Sequence, residues 1–219
     1  SPAGTPLMSI LIKICGITNP DDAQFAVESG ADALGFIFYR KSPRYIRPES
    51  VGKIVRDLPP FVRAVGVFVN SDRDAVNRIA DVGFLSALQL HGDEVPKFCR
   101  GFSRPVIRAV RVGGELEASD IEPYAEAGVD TFLLDTAKHG FYGGTGDTFD
   151  WSAAVFAKSY GRVILSGGMN PDNVREGVAF VNPYAVDTSS GVESAPGIKD
   201  HVKVKAFIDA VREKENLES

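Results

Sequence analysis

From residue 10 onward, short apolar runs alternate with longer stretches in which apolar positions recur three or four residues apart. Eight runs stand out: Ile10 to Cys15, Ala33 to Phe38, Ala64 to Val69, Ala87 to Leu90, Val106 to Val110, Thr131 to Asp135, Val163 to Leu165 and Ala185 to Val186. Each is nearly continuous in Val, Ile, Leu, Phe or Ala, which suits strands buried on both faces. The intervening stretches are amphipathic and carry helix start signals. Asn19-Pro20-Asp21-Asp22 and Asn170-Pro171-Asp172-Asn173 each predict a helix that begins at proline. Strand and helix in alternation predict βα units around a parallel sheet.

A weak internal repeat supports the count. Glu28-Ser29-Gly30-Ala31-Asp32-Ala33 resembles Glu126-Ala127-Gly128-Val129-Asp130-Thr131, and Asp81-Val82-Gly83 holds the same place before another strand. Each predicts a helix closed by a glycine in a left-handed cap. Eight such units predict an α/β chain folded as a single-domain (β/α)₈ TIM barrel over residues 10–219. Residues 1–9 are expected to be a disordered or vector-derived extension, because they lack the basic and apolar regions of a secretory signal. An open doubly wound sheet is the competing topology, but the first turn carries no dinucleotide fingerprint.

The length of 219 residues sits near the lower end for such barrels, roughly 200 to over 400 residues. A hydrophobic share of 44% and a charged share of 24% exclude a disordered chain. No apolar run approaches the roughly 20 residues that span a bilayer, so no membrane partner is expected. The net charge of −5 argues against a nucleic-acid binder, whose affinity would rest on clustered Lys and Arg. Two cysteines, Cys15 and Cys99, without a CxxC pair, fit a reducing compartment and a cytoplasmic location.

In a barrel of this kind the chemistry lies beyond the carboxyl ends of the strands. Cys15 ends the first strand and is open to two readings, a small core hydrophobe or a reactive thiol. Lys13 should face the same interior, where its ammonium would favour the thiolate. Asp135 ends the sixth strand, either as a cap or as an acid, and is followed by a long glycine-rich loop of the sort that forms lids. Such a thiol and carboxyl would flank the barrel mouth and exchange protons with one substrate. After the last two strands, Gly167, Gly168, Ser190 and Gly191 are placed to cradle a phosphate with backbone N–H groups. Gly143 and Gly144 of the long loop are counted with them. Ordinary turn glycines are the plainer alternative. Cys99, His139 and His201 carry no signal.

Taken in order, KICGIT at 13–18, SPRYI at 42–46, QLHGDE at 89–94, LLDT at 133–136, GGTG at 143–146 with FDW after it, SGGM at 166–169 and DTSSGVE at 187–193 resemble the phosphoribosylanthranilate isomerases of tryptophan biosynthesis. The resemblance runs from about residue 10 to residue 212. It implies an Amadori rearrangement of a small phosphosugar, with no cofactor and no metal. It makes Asp135 the general acid that opens the ribose ring and Cys15 the general base that takes the C2′ proton. Arg44 matches the position that meets the anthranilate carboxylate; a solvated loop arginine is the alternative. Asp187 would contact the anthranilate amine or orient the substrate, or else serve a turn. His91 would point to the mouth as a substrate-binding group or a structural one, and Lys13 completes the set. The assembly is a monomer or a homodimer. Two rivals stay open: the related histidine-pathway isomerase, which uses carboxylates for both proton transfers, and a non-catalytic phosphosugar-binding barrel.

Overall fold

The computed structural model describes residues 9–136 and 150–217, with side chains as far as 213. Eight strands close a barrel: β1 (Leu11–Cys15), β2 (Ala33–Ile37), β3 (Arg63–Phe68), β4 (Ala87–Leu90), β5 (Val106–Val112), β6 (Thr131–Thr136), β7 (Arg162–Leu165) and β8 (Ala185–Thr188). Every neighbouring pair is parallel, and β8 returns to β1 with Lys13 opposite Asp187. Around it lie α1 (Pro20–Glu28), α2 (Pro48–Arg56), α3 (Arg73–Val82), α4 (Ala118–Glu126), α5 (Ser152–Ala157), α6 (Val174–Val181) and α7 (His201–Leu217).

Alternation along the strands makes two cores. Val65, Ala87, Ile107, Ala109, Leu133, Ile164 and Ala185 fill the barrel itself. Their sequence neighbours, including Ile12, Ile14, Leu34, Phe36, Leu88, Phe132 and Leu134, pack outward against the helices. Lys13 and Cys15 on β1, Gln89 on β4 and Asp135 on β6 share the inward parity. All four are buried.

Three local expectations need correction. After β4 the chain makes only a 3₁₀ turn, Pro96–Cys99, because Gly101 turns it with φ +80° and Pro105 precedes the next strand. Pro20 does open α1, with Asn19 Oδ1 accepting from the N–H of Asp22 at 2.8 Å. Pro171, however, lies in a turn, and α6 begins three residues later at Val174. Gly30 and Gly128 are left-handed as expected, whereas Gly83 is not; Phe84 takes that conformation at φ +51°. The cap there is shifted by one residue: α3 runs on to Val82, so Gly83 is its C-cap and Phe84 falls in the place held by Gly30 and Gly128 after α1 and α4.

Beyond β8 lies a small antiparallel hairpin that no local pattern announces, β9 (Glu193–Ala195) with β10 (Ile198–Lys199). Asp22 of α1 ties it down. Its carboxylate accepts from the backbone N–H of Lys199 at 2.9 Å and pairs with His201 Nε2 at 2.9 Å. His201 also stacks on Phe25, with ring centroids 4.0 Å apart. The hairpin is therefore a fixed wall of the barrel mouth.

Candidate active site

Cys15 closes β1, with Gly35 of β2 as its register partner. A Cβ on Gly35 would lie 2.5 Å from Cys15 Sγ, so only glycine leaves room for the thiol at this point. Lys13, two residues earlier, donates to Asp187 Oδ1 at 2.6 Å, and Ser166 Oγ donates to Asp187 Oδ2 at 2.7 Å. Asp187 is thus the buried counter-ion of Lys13 and no simple turn residue. Lys13 does pull the Cys15 pKa down, in the direction its placement implied, but burial outweighs it. Burial pushes the thiol up; Lys13 and Lys199 pull it back, Asp187 adds to the rise, and the net shift is upward. Burial also works against the Lys13 ammonium, but Asp187 and Cys15 more than offset it, so Lys13 stays charged.

Asp135 stands across the barrel, with β7 and β8 between it and Cys15 on one side and β2 to β5 on the other. Its Oδ1 accepts from the N–H of Thr136 at 2.8 Å, and its Oδ2 lies 3.1 Å from His91 Nε2. Gln89 Nε2 in turn sits 2.7 Å from His91 Nδ1. His91 therefore lies at the mouth as anticipated, but both ring nitrogens are engaged by protein groups. Gln89 was missed by the sequence reading, although its two-residue spacing from His91 marks a common strand face.

Arg44 is not a solvated loop residue. Its Nε and Nη2 donate to Glu193 Oε1 and Oε2 at 2.8 and 2.7 Å, a bidentate pair buried beside the end of β1. Lys199 Nζ, itself buried, joins Glu193 Oε1 at 3.1 Å. Burial raises the Glu193 pKa, but hydrogen bonding and charge from Arg44 and Lys199 outweigh it, leaving the carboxyl below its usual range. Nη1 of Arg44 has no partner among the described residues. Glu193 and Lys199 went unassigned in the sequence, because a contact between the second and eighth units leaves no local pattern.

The loops after β7 and β8 press together. Thr188 Oγ1 donates to the Met169 carbonyl at 2.6 Å, and a Cβ on Gly191 would fall 2.1 Å from that same oxygen. Gly167 and Gly168 are both left-handed at φ +72°. Asn173 and Asn170 side-chain amides hold the Gly168 carbonyl at 3.0 and 3.2 Å. Among the described residues, the N–H groups of Gly167, Gly168, Ser190 and Gly191 donate to no protein acceptor. Backbone donors without acceptors on two touching loops are the kind of groups that can bind an anion. Gly143, Gly144 and His139 lie outside the described residues.

No group of three or more His, Cys, Asp or Glu suited to a metal ion occurs among the described residues, and no helix among them is long and apolar enough to cross a membrane. The model of the N-(5′-phosphoribosyl)anthranilate isomerase family matches residues 12–210. The enzyme of that name from Citrifermentans bemidjiense is 53% identical over 197 residues, covering 90% of this chain and 94% of its own. A structure of monomers generated from the dimeric phosphoribosylanthranilate isomerase of Thermotoga maritima superposes with a TM-score of 0.81 at 43% identity, over 93% of this chain and 99% of that one. A further phosphoribosyl anthranilate isomerase, in complex with reduced 1-(o-carboxyphenylamino)-1-deoxyribulose 5-phosphate, gives 0.81 at 45% identity over the same shares. The chain belongs to the N-(5′-phosphoribosyl)anthranilate isomerase family.

Proposed function

We infer that this chain converts N-(5-phosphoribosyl)anthranilate to 1-(2-carboxyphenylamino)-1-deoxy-D-ribulose 5-phosphate in tryptophan biosynthesis, with Asp135 as general acid and Cys15 as general base. The observation that supports the assignment of roles is a thiol ending β1 and a carboxyl on β6, at the same barrel end as two loops whose N–H groups have no protein acceptor among the described residues.

The substrate phosphate binds the N–H groups of Gly167, Gly168, Ser190 and Gly191, which sets the sugar across the barrel mouth. Asp135 gives a proton to the ribose ring oxygen; the C1′–oxygen bond breaks as the anthranilate nitrogen forms the iminium. The thiolate of Cys15 takes the C2′ proton, which the iminium has made acidic. The enolamine then becomes the ketone, as C1′ gains a proton and the C2′ hydroxyl loses one. Positioned acid and base each contribute about 10² to 10⁴ in rate. A thiol whose pKa is raised by burial makes the stronger base once ionised.

Arg44 meets the anthranilate carboxylate through Nη1, held in place by Glu193 on its other edge. Lys13 and Asp187 line the floor between the two proton-transfer groups. Both of those groups come from one barrel, so a monomer and a homodimer each supply a full site. With two buried free thiols, we place the enzyme in the cytoplasm.

The test is to add phosphoribosylanthranilate to the purified protein and follow the loss of its anthranilate fluorescence. Turnover is expected; none from folded protein would overturn the assignment.

A further inference from the structure

Gln89 and His91 are both buried, and neither has a step in the rearrangement as written above. The geometry points to a positioning role for both: we propose that Gln89 fixes the tautomer of His91 so that its Nε2–H holds Asp135, the general acid. The proposal rests on the acid role of Asp135 and deepens it.

Once Asp135 has given its proton to the ring oxygen it is a carboxylate, and His91 Nε2 lies 3.1 Å from its Oδ2. A bare Nε2 would set lone pair against lone pair. Neutral His91 must therefore carry its proton on Nε2, which leaves Nδ1 as an acceptor. The group 2.7 Å from Nδ1 is the amide nitrogen of Gln89, a donor that matches it. With Thr136 N–H on Oδ1 at 2.8 Å, the carboxylate formed in the ring-opening step meets a donor on each oxygen.

The second observation is what this arrangement leaves undone. Among the described residues, Gln89 Oε1 is buried without a hydrogen-bond partner. Turning the amide over would present that oxygen to Nδ1 and draw the proton there, away from Nε2. Gln89 thus keeps an unmatched buried acceptor while its donor faces the ring, an arrangement that packing alone does not call for. Glutamate, of the same shape, cannot substitute: a carboxylate accepts only, so it would pull the imidazole proton to Nδ1 and aim a lone pair at Asp135. A protonated Asp135 would then bond to His91 and hold its proton back from the sugar.

The test uses the intact enzyme with ¹⁵N-labelled histidine. NMR shifts report which ring nitrogen of the neutral imidazole carries the proton, and His91→Asn assigns the signal against His139 and His201. We expect the Nε2–H form in the wild type and the Nδ1–H form in Gln89→Glu. In that variant kcat should fall by about 10² or more, as for other wrong-tautomer mutants, while KM moves less than about threefold. Gln89→Met, which cannot donate, should fall between the two. A wild-type Nδ1–H tautomer overturns the proposal without any variant. So does a folded Gln89→Glu with wild-type tautomer and kcat. Full activity in Asp135→Asn would instead remove the underlying assignment of the acid.

Discussion

Gly35 of β2 lies so close to Cys15 of β1 that a Cβ on the glycine would stand 2.5 Å from the cysteine Sγ. The three nearest heavy atoms to that Cβ all belong to Cys15, so adding a methyl group acts on the proposed base itself. Gly35→Ala is expected to lower kcat by about 10² through displacement of the base. The strain should cost about 1–3 kcal/mol in stability, read by denaturant unfolding. Unchanged kcat would show that the thiol has room the geometry denies.

Burial raises the pKa of Cys15 in spite of Lys13 and Lys199, so the thiol is the dominant form at neutral pH. In a Cys99→Ala background, the ultraviolet absorbance of the thiolate should appear only above the ordinary thiol range. Lys13→Met removes a cation that pulls the pKa down and exposes Cys15 to Asp187, so the transition should move higher still. The sign follows for stability too. A raised pKa in the folded state gives stability that is present below the unfolded thiol value and is lost as pH rises toward the folded one. A transition below the ordinary thiol range would contradict this account.

Arg44 keeps the two Nη1 hydrogens and the second Nη2 hydrogen for a ligand, because Glu193 takes only Nε and one hydrogen of Nη2. Glu193→Gln should loosen that hold and raise KM roughly tenfold with a smaller change in kcat, as expected for lost positioning of a binding group. Arg44→Ala should raise KM at least as much. If Glu193→Gln instead lowers KM, Glu193 competes with the substrate carboxylate for the guanidinium.

Gly191→Ala would drive a methyl group into the Met169 carbonyl, 2.1 Å away, and force apart the two loops proposed to hold the phosphate. Affinity for inorganic phosphate as a competitive inhibitor should drop about tenfold or more, since four N–H donors depend on that approach. Retained phosphate inhibition would place the anion elsewhere.

The barrel was legible because parallel strands are buried on both faces and read as unbroken apolar runs. All eight were found, to within one residue at their ends except at Val106–Val112 and Ala185–Thr188, where the observed strands run two residues longer. What a run cannot reveal is the connection after it. The 3₁₀ turn after β4 is dictated by Pro96, Gly101 and Pro105 together, and the β9–β10 hairpin by Asp22, far away in sequence. Site residues divide the same way. Cys15, Lys13, Asp135 and Asp187 were visible as polar groups at strand ends. The pairing of Arg44 with Glu193 was not, because it depends on barrel closure. The charge of Lys13 and the direction of its pull on Cys15 were legible, but the depth that lets burial outweigh that pull was not.

The central claim is that Cys15 and Asp135 carry the two proton transfers. The most direct measurement compares Cys15→Ser and Asp135→Asn with the wild type in kcat and in affinity for reduced 1-(o-carboxyphenylamino)-1-deoxyribulose 5-phosphate, which one relative binds. Each variant is expected to lose about 10² or more in kcat while binding the analogue within about threefold of wild type. Wild-type turnover in either variant, or a loss of binding equal to the loss of rate, would contradict it.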